Sequence, residues 1–109
     1  MKDDLKQILE FEQQRDWKQF HTPKNLAISL VLEAGEALEI FQWSKDGDLP
    51  TGRRAELGEE LADVYYYLLL LAHQTGLDIQ KEFQKKMEIN ASKYPLNKSK
   101  GNPRKYDRL

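Results

Sequence analysis

Two pairs of acids stand where acids are costly. Glu33 and Glu36 interrupt the stretch Leu26–Phe41, which is otherwise rich in Leu, Ile, Val and Ala; Glu60 and Asp63 lie just before the apolar run Val64–Ala72. Within each pair the acids are three residues apart, about 60° around a helix axis, so they share a face. If the two helices pack antiparallel, the pairs can meet. Four ionised carboxylates brought together are strongly unfavourable, so some must take up protons or a cation must neutralise them. A hard divalent ion with all-oxygen ligands, Mg²⁺ or Mn²⁺, suits this donor set. The competing reading is solvated surface acids spaced by chance. One pair alone would favour it; two pairs embedded in mostly apolar helices favour a metal. The neighbouring Glu39 and Glu59 are expected at an edge or interface.

A di-iron carboxylate bundle is the other metal chemistry to weigh. Its Glu-x-x-His pattern is missing: Leu70 precedes His73 by three residues, and Lys18 precedes His21. Both histidines are read as structural, with His21 near a site because it lies in the turn before the first acid-bearing stretch. The sequence has no cysteine, which excludes disulfides, thiolate zinc sites and cysteine nucleophiles.

Four helices must position these acids, and nothing reads as a strand, so the expected fold class is all-α. The first helix runs from about Asp4 to Asp16, with Leu5, Ile8, Leu9 and Glu12 on one side. The second opens at Thr22-Pro23, a capping hydroxyl followed by proline at the first helical position, and runs to about Trp43. An Asp-, Gly- and Pro-rich loop, Ser44–Gly52, separates it from a third helix, about Arg53 to Thr75, stopped by Gly76. Asp78 caps the fourth, which ends before Pro95. A domain over 1–95 and an irregular basic tail over 96–109 are expected.

With 109 residues, 39% hydrophobic and 32% charged, the chain is one domain. Helices two and three are apolar on most sides, and two smaller neighbours cannot bury both. A shared helical bundle in a dimer or tetramer is therefore expected. The acidic start Met1-Lys2-Asp3-Asp4 shows no leader peptide, and the nine-residue run Val64–Ala72 is too short to cross a bilayer. A cytoplasmic protein without a membrane partner is the expectation. Residues 93–109 carry six Lys/Arg against one acid, leaving eleven basic and seventeen acidic residues in 1–92. An acidic body with a basic tail does not suit a nucleic-acid polymer, but it does suit a cation-holding site.

Read in order, the residues resemble a family. Glu33-x-x-Glu36 followed by Glu60-x-x-Asp63 resembles the metal motif of the all-α nucleoside triphosphate pyrophosphohydrolases, the MazG-like superfamily. The segments Arg15-Asp16-Trp17-x-x-Phe20-His21-x-Pro23-x-Asn25-Leu26, Phe41-Gln42-Trp43, Lys86-Met87-x-Ile89-Asn90, Lys93-Tyr94-Pro95 and Arg104-Lys105-Tyr106 resemble its dCTP pyrophosphatase branch. The resemblance implies hydrolysis of a nucleoside triphosphate to monophosphate and pyrophosphate, with Mg²⁺ held by Glu33, Glu36, Glu60 and Asp63. Glu33 is the candidate to take the proton of the attacking water.

The resemblance also assigns Trp17 and Trp43 to stacking on the base and Tyr67 to the same pocket; the two tryptophan rings are expected to sandwich the base, and a neighbouring subunit can lend one of them. Against this stands plain core or interface packing of the three rings. Lys86, Asn90 and Lys93, at i, i+4 and i+7, share a helix face that can meet phosphate or ribose oxygens; a solvated face is the alternative. Ile8 stands where the mammalian branch has a histidine, and the Trp43–Arg53 loop is shorter. The favoured substrate is dCTP or a modified relative. The implied assembly is a dimer of dimers. The alternatives are a nucleotide sensor without turnover and a helical interaction module, although the latter gives no reason to cluster four carboxylates.

Overall fold

A computed structural model describes residues 2–109. They form α1 (Lys2–Gln14), a 3₁₀ turn (Lys18–Phe20), α2 (Pro23–Glu39), α3 (Arg54–Gln74), α4 (Ile79–Lys93), the single turn α5 (Leu96–Ser99) and a last 3₁₀ turn (Tyr106–Arg108). No strand occurs among the described residues, and no described helix is long and apolar enough to cross a membrane. The chain divides into two compact units, Met1–Gly76 and Leu77–Leu109.

In the first unit α2 packs along α3, and α1 lies against α3. Glu36 meets Glu60 while Ser29 meets Tyr67, so residue numbers run in opposite directions and the pair is antiparallel. Ile8, Leu26, Ile40, Leu69, Leu70 and Ala72 are the buried apolar residues. The apolar surfaces of α2 and α3 exceed what this unit covers: Val31 is 70% exposed and Leu38 69%.

Several boundaries differ from the sequence reading, each for a local reason. The first helix stops at Gln14, two residues early, because Asp16 turns left-handed at φ 53. The Asp16 N–H then donates to Gln13 O (3.2 Å) and the Trp17 N–H to Glu12 O (3.1 Å), closing the helix with a two-bond C-terminal cap. The second helix ends at Glu39 rather than near Trp43. Beyond it Phe41 N–H donates to Leu38 O and Gln42 N–H to Glu39 O, so the chain tightens into i→i+3 turns. Thr22 does cap α2, accepting from the Asn25 N–H at 3.2 Å, and Asn25 Nδ2 donates to Phe20 O at 3.0 Å, fixing the turn that enters the helix. Asp78 caps α4 in the same way through the Lys81 N–H.

The tail is not wholly irregular. In the second unit Tyr106 packs edge-on against Tyr94, with ring centroids 6.2 Å apart, and the Lys93 ammonium sits 4.5 Å above the Tyr106 ring. These contacts tie Tyr106 to the end of α4 within the second unit.

Because the Thr22 hydroxyl satisfies an otherwise orphaned helix N–H, Thr22→Ala should cost about 1 kcal/mol of stability and Thr22→Ser far less. Chemical denaturation of the two variants beside the parent measures this. Equal midpoints for parent and Thr22→Ala would contradict it.

Candidate functional site

The antiparallel pairing of α2 with α3 brings the two acid pairs together. Carboxylate oxygens of Glu33, Glu36 and Glu60 all lie within 4.8 Å of one another. Asp63 lies outside that closest trio, yet its charge acts on both Glu33 and Glu60. Glu33 and Glu60 are half-buried, whereas Glu36 and Asp63 are exposed. One oxygen of Glu33 (Oε2) and one of Glu60 (Oε2) are buried and accept no hydrogen bond. Such atoms are expensive unless a donor or a cation faces them.

The electrostatics follow. The Glu60 carboxyl is pushed up to about 7, first by a hydrogen bond with the Glu36 carboxyl, then by desolvation and by the charges of Glu36, Glu33 and Asp63. Glu33 is also raised, first by desolvation, then by its hydrogen bond to Glu36 and by the charges of Glu36 and Asp63. Clustered carboxyls with two orphaned oxygens are the donor type that a hard divalent cation takes.

A cavity of about 530 Å³ opens beside the acids, walled by Ile8, Phe11, Trp17, Tyr67, Glu33 and Asp63, among others. Trp17 owes its place to the α1 cap, which turns the chain at Asp16 immediately before it. Tyr67 is raised in pKa by burial and by the Glu33 carboxylate, which places its hydroxyl in the same negative field. Ile8, buried on α1, makes that wall apolar.

The other sequence candidates are placed differently. Trp43 is 85% exposed just beyond α2 and does not line the cavity, so within one chain it does not face Trp17 across a base. Lys86, Asn90 and Lys93 lie on α4 in the second unit, Lys86 exposed and the other two half-buried. Lys93 is engaged with Tyr106. Glu39 and Glu59 are exposed.

Phe11, Tyr65 and Tyr66 line the cavity without having been read as site residues from the sequence, and neither was Glu12, which bonds Tyr66. Tyr65 donates to Asp4 Oδ2 at 2.6 Å, while Tyr66 and His21 both bond the Glu12 carboxylate. The available signal was Glu12 itself, a charged residue on the otherwise apolar face of Leu5, Ile8 and Leu9.

The raised carboxyls fix the direction of a pH effect. Unfolded, the Glu60 carboxyl loses its proton near its ordinary value of 4.5; folded, it keeps that proton to about 7. Proton binding by the folded state thus contributes stability that is full below about pH 4.5 and lost as the pH rises through 7. Without divalent metal, the melting temperature should fall from pH 5 to pH 8 more steeply in the parent than in Glu60→Gln, and excess Mg²⁺ should remove the difference. Thermal melts with and without chelator test this; identical slopes would show that the acids do not interact.

Comparison with known proteins joins these observations. The sequence profile of the MazG-like family matches residues 28–109. The chain is 45% identical over 105 residues to dCTP pyrophosphatase 1 of Homo sapiens and 43% identical to that of Mus musculus. Each match covers 92% of this chain and 62% of the relative, so the chain spans somewhat less than two thirds of these curated relatives. A solved pyrophosphatase from Archaeoglobus fulgidus superposes with a TM-score of 0.82 at 40% identity, covering 87% of this chain and 92% of that one. With the profile matched across α2, α3 and α4, and the motif acids brought together where α2 meets α3, the chain belongs to the MazG-like family.

Proposed function

We propose that the protein is a divalent-metal-dependent nucleotide pyrophosphohydrolase of the cytoplasmic nucleotide pool. In this reading it cleaves the α–β phosphoanhydride of a deoxynucleoside triphosphate, dCTP or a modified relative, to give monophosphate and pyrophosphate. The observation that carries the reading is the carboxylate trio with two orphaned buried oxygens, set against an aromatic-walled cavity. The identity to enzymes named dCTP pyrophosphatase supports the substrate.

Glu33, Glu36, Glu60 and Asp63 would hold Mg²⁺ or Mn²⁺, which when bound supplies neutralising charge to the polyphosphate. Glu33 belongs to both the acid cluster and the cavity wall, and it accepts the proton of the attacking water at a carboxylate oxygen. The same wall, through Trp17 and Tyr67, takes the base by stacking. Lys86, Asn90 and Lys93 keep the role the resemblance implies, contacts to phosphate or ribose oxygens, supported by their shared face on α4. The chain acts as a homo-oligomer, a dimer or a dimer of dimers, supported by the exposed Val31, Leu32 and Leu38 of α2. In that assembly Trp43 of a neighbouring subunit closes the base pocket.

Purified protein with Mg²⁺ should release pyrophosphate from a panel of nucleoside triphosphates, fastest with a cytidine base. Glu36→Gln and Asp63→Asn should each abolish release while keeping helicity and metal-free stability equal or higher, since repulsion falls. Nucleotide binding by the parent without turnover would identify a sensor instead.

If Trp43 stacks on the base, its ring is worth about 1–3 kcal/mol. Trp43→Ala should then raise KM roughly ten- to hundredfold, with little change in pyrophosphate affinity. Parent-like kinetics in this variant would make Trp43 a packing residue.

A further inference from the structure

The buried acid on the other side of the aromatic wall has no part in the chemistry above. Glu12 is 4% exposed, the most deeply buried charged side chain among the described residues. Its two oxygens divide their work. Oε1 bonds Nδ1 of His21, from the turn before α2, and Oε2 accepts from the hydroxyl of Tyr66, on α3. A carboxylate is an acceptor on both oxygens, so one side chain of α1 orients two rings from two other elements.

Those two rings belong to a closed circuit. Phe11 meets Trp17 with centroids 5.4 Å apart, Trp17 meets His21 at 6.4 Å, and His21 meets Tyr67 at 6.3 Å. Tyr67 meets Tyr66 at 5.1 Å, and Tyr66 returns to Phe11 at 6.3 Å. All five contacts are edge-to-face, the geometry favoured by ring quadrupoles. Four of the five rings line the cavity; His21 stands behind them. Edge contacts alone leave rings free to slide, whereas hydrogen bonds have direction. The two members tied to Glu12 are not adjacent in the circuit, so fixing them constrains the rings between.

We propose that Glu12 is a positioning residue that sets the aromatic wall of the cavity by holding His21 and Tyr66. The proposal rests on the reading that this wall receives the nucleotide base. A buried polar cluster replaced as a whole by apolar side chains often loses no stability, whereas removing Glu12 alone leaves His21 and the Tyr66 hydroxyl without their partner. What an apolar replacement cannot supply is direction.

The test compares Glu12→Leu, Glu12→Gln and Tyr66→Phe in steady-state kinetics and in near-ultraviolet circular dichroism of the metal-free protein. Glu12→Leu should weaken the near-ultraviolet aromatic signal, leave the far-ultraviolet helical signal intact, and raise KM for the nucleotide roughly three- to tenfold with kcat within about twofold. Glutamine can accept from His21 and donate to the Tyr66 oxygen, so Glu12→Gln should return KM and the aromatic signal toward the parent. Tyr66→Phe cuts one of the two ties and should raise KM and weaken the tryptophan bands of the near-ultraviolet signal by less, those bands being read because the variant also loses a tyrosine; it stands in for Glu12→Leu if that variant does not fold. Parent-like KM and aromatic signal in a folded Glu12→Leu or Tyr66→Phe would overturn the proposal. So would a fall in kcat at unchanged KM, which would place Glu12 in the chemistry instead. A parent that releases no pyrophosphate overturns the enzymatic reading by itself; the near-ultraviolet spectrum needs no substrate and still decides whether Glu12 holds the rings.

Discussion

Like-charge repulsion between α2 and α3 is the constraint on which the rest of the first unit turns. Carboxylate oxygens of Glu33, Glu36 and Glu60 lie within 4.8 Å of one another, and the charge of Asp63 adds to the field that raises Glu33 and Glu60. The chain retains them because the surrounding apolar contacts fix the helix pair: Leu26 of α2 and Leu70 of α3 are wholly buried. Packing therefore holds the acids in mutual repulsion, which protons relieve in part and the proposed divalent cation would relieve further. Surface acids turn away into water, whereas here two oxygens are buried without any partner.

Charge and stacking meet at Glu33, which belongs to the acid cluster and also to the wall of the cavity. A ligand with an anionic end and a flat aromatic end fits such a junction, the first end toward the carboxylates through a cation and the second among the rings. Phe11 comes from α1 and Tyr66 and Tyr67 from the middle of α3, while Trp17 comes from the turn between α1 and α2. Asp16 accepts a left-handed conformation that ends α1, so Trp17 follows at once, and Thr22 and Asn25 fix the next turn. The wall thus joins helix-borne rings to one that a cap places, while the acids are placed by helix periodicity alone.

The apolar surfaces of α2 and α3 give the unit a further requirement. Val31, Leu32, Leu38 and Leu61 remain exposed, although the pair buries a core between its helices. A soluble chain leaves a surface of this kind uncovered only at a cost, and covering it is the physical basis for the proposed self-association.

The all-helical class, the α2 and α4 caps, the Gly76 stop and the pairing of acids were legible in the sequence, because each depends on residues within one or two helical turns. The same locality explains why Glu33 with Glu36, and Glu60 with Asp63, could each be read as sharing a helix face, whereas their meeting rests on the antiparallel packing of α2 with α3. Other features were decided only by tertiary structure. Asp63 stands apart from the closest trio, and Trp43 lies away from the cavity, because helix packing and the early end of α2 set those positions. Glu12 gave a single sign, a charge on an apolar face, but its partners are 9 and 54 residues away in the chain. Helical periodicity can place a side chain on a face. What meets that face across such separations is fixed only when α1, the turn before α2 and α3 pack together.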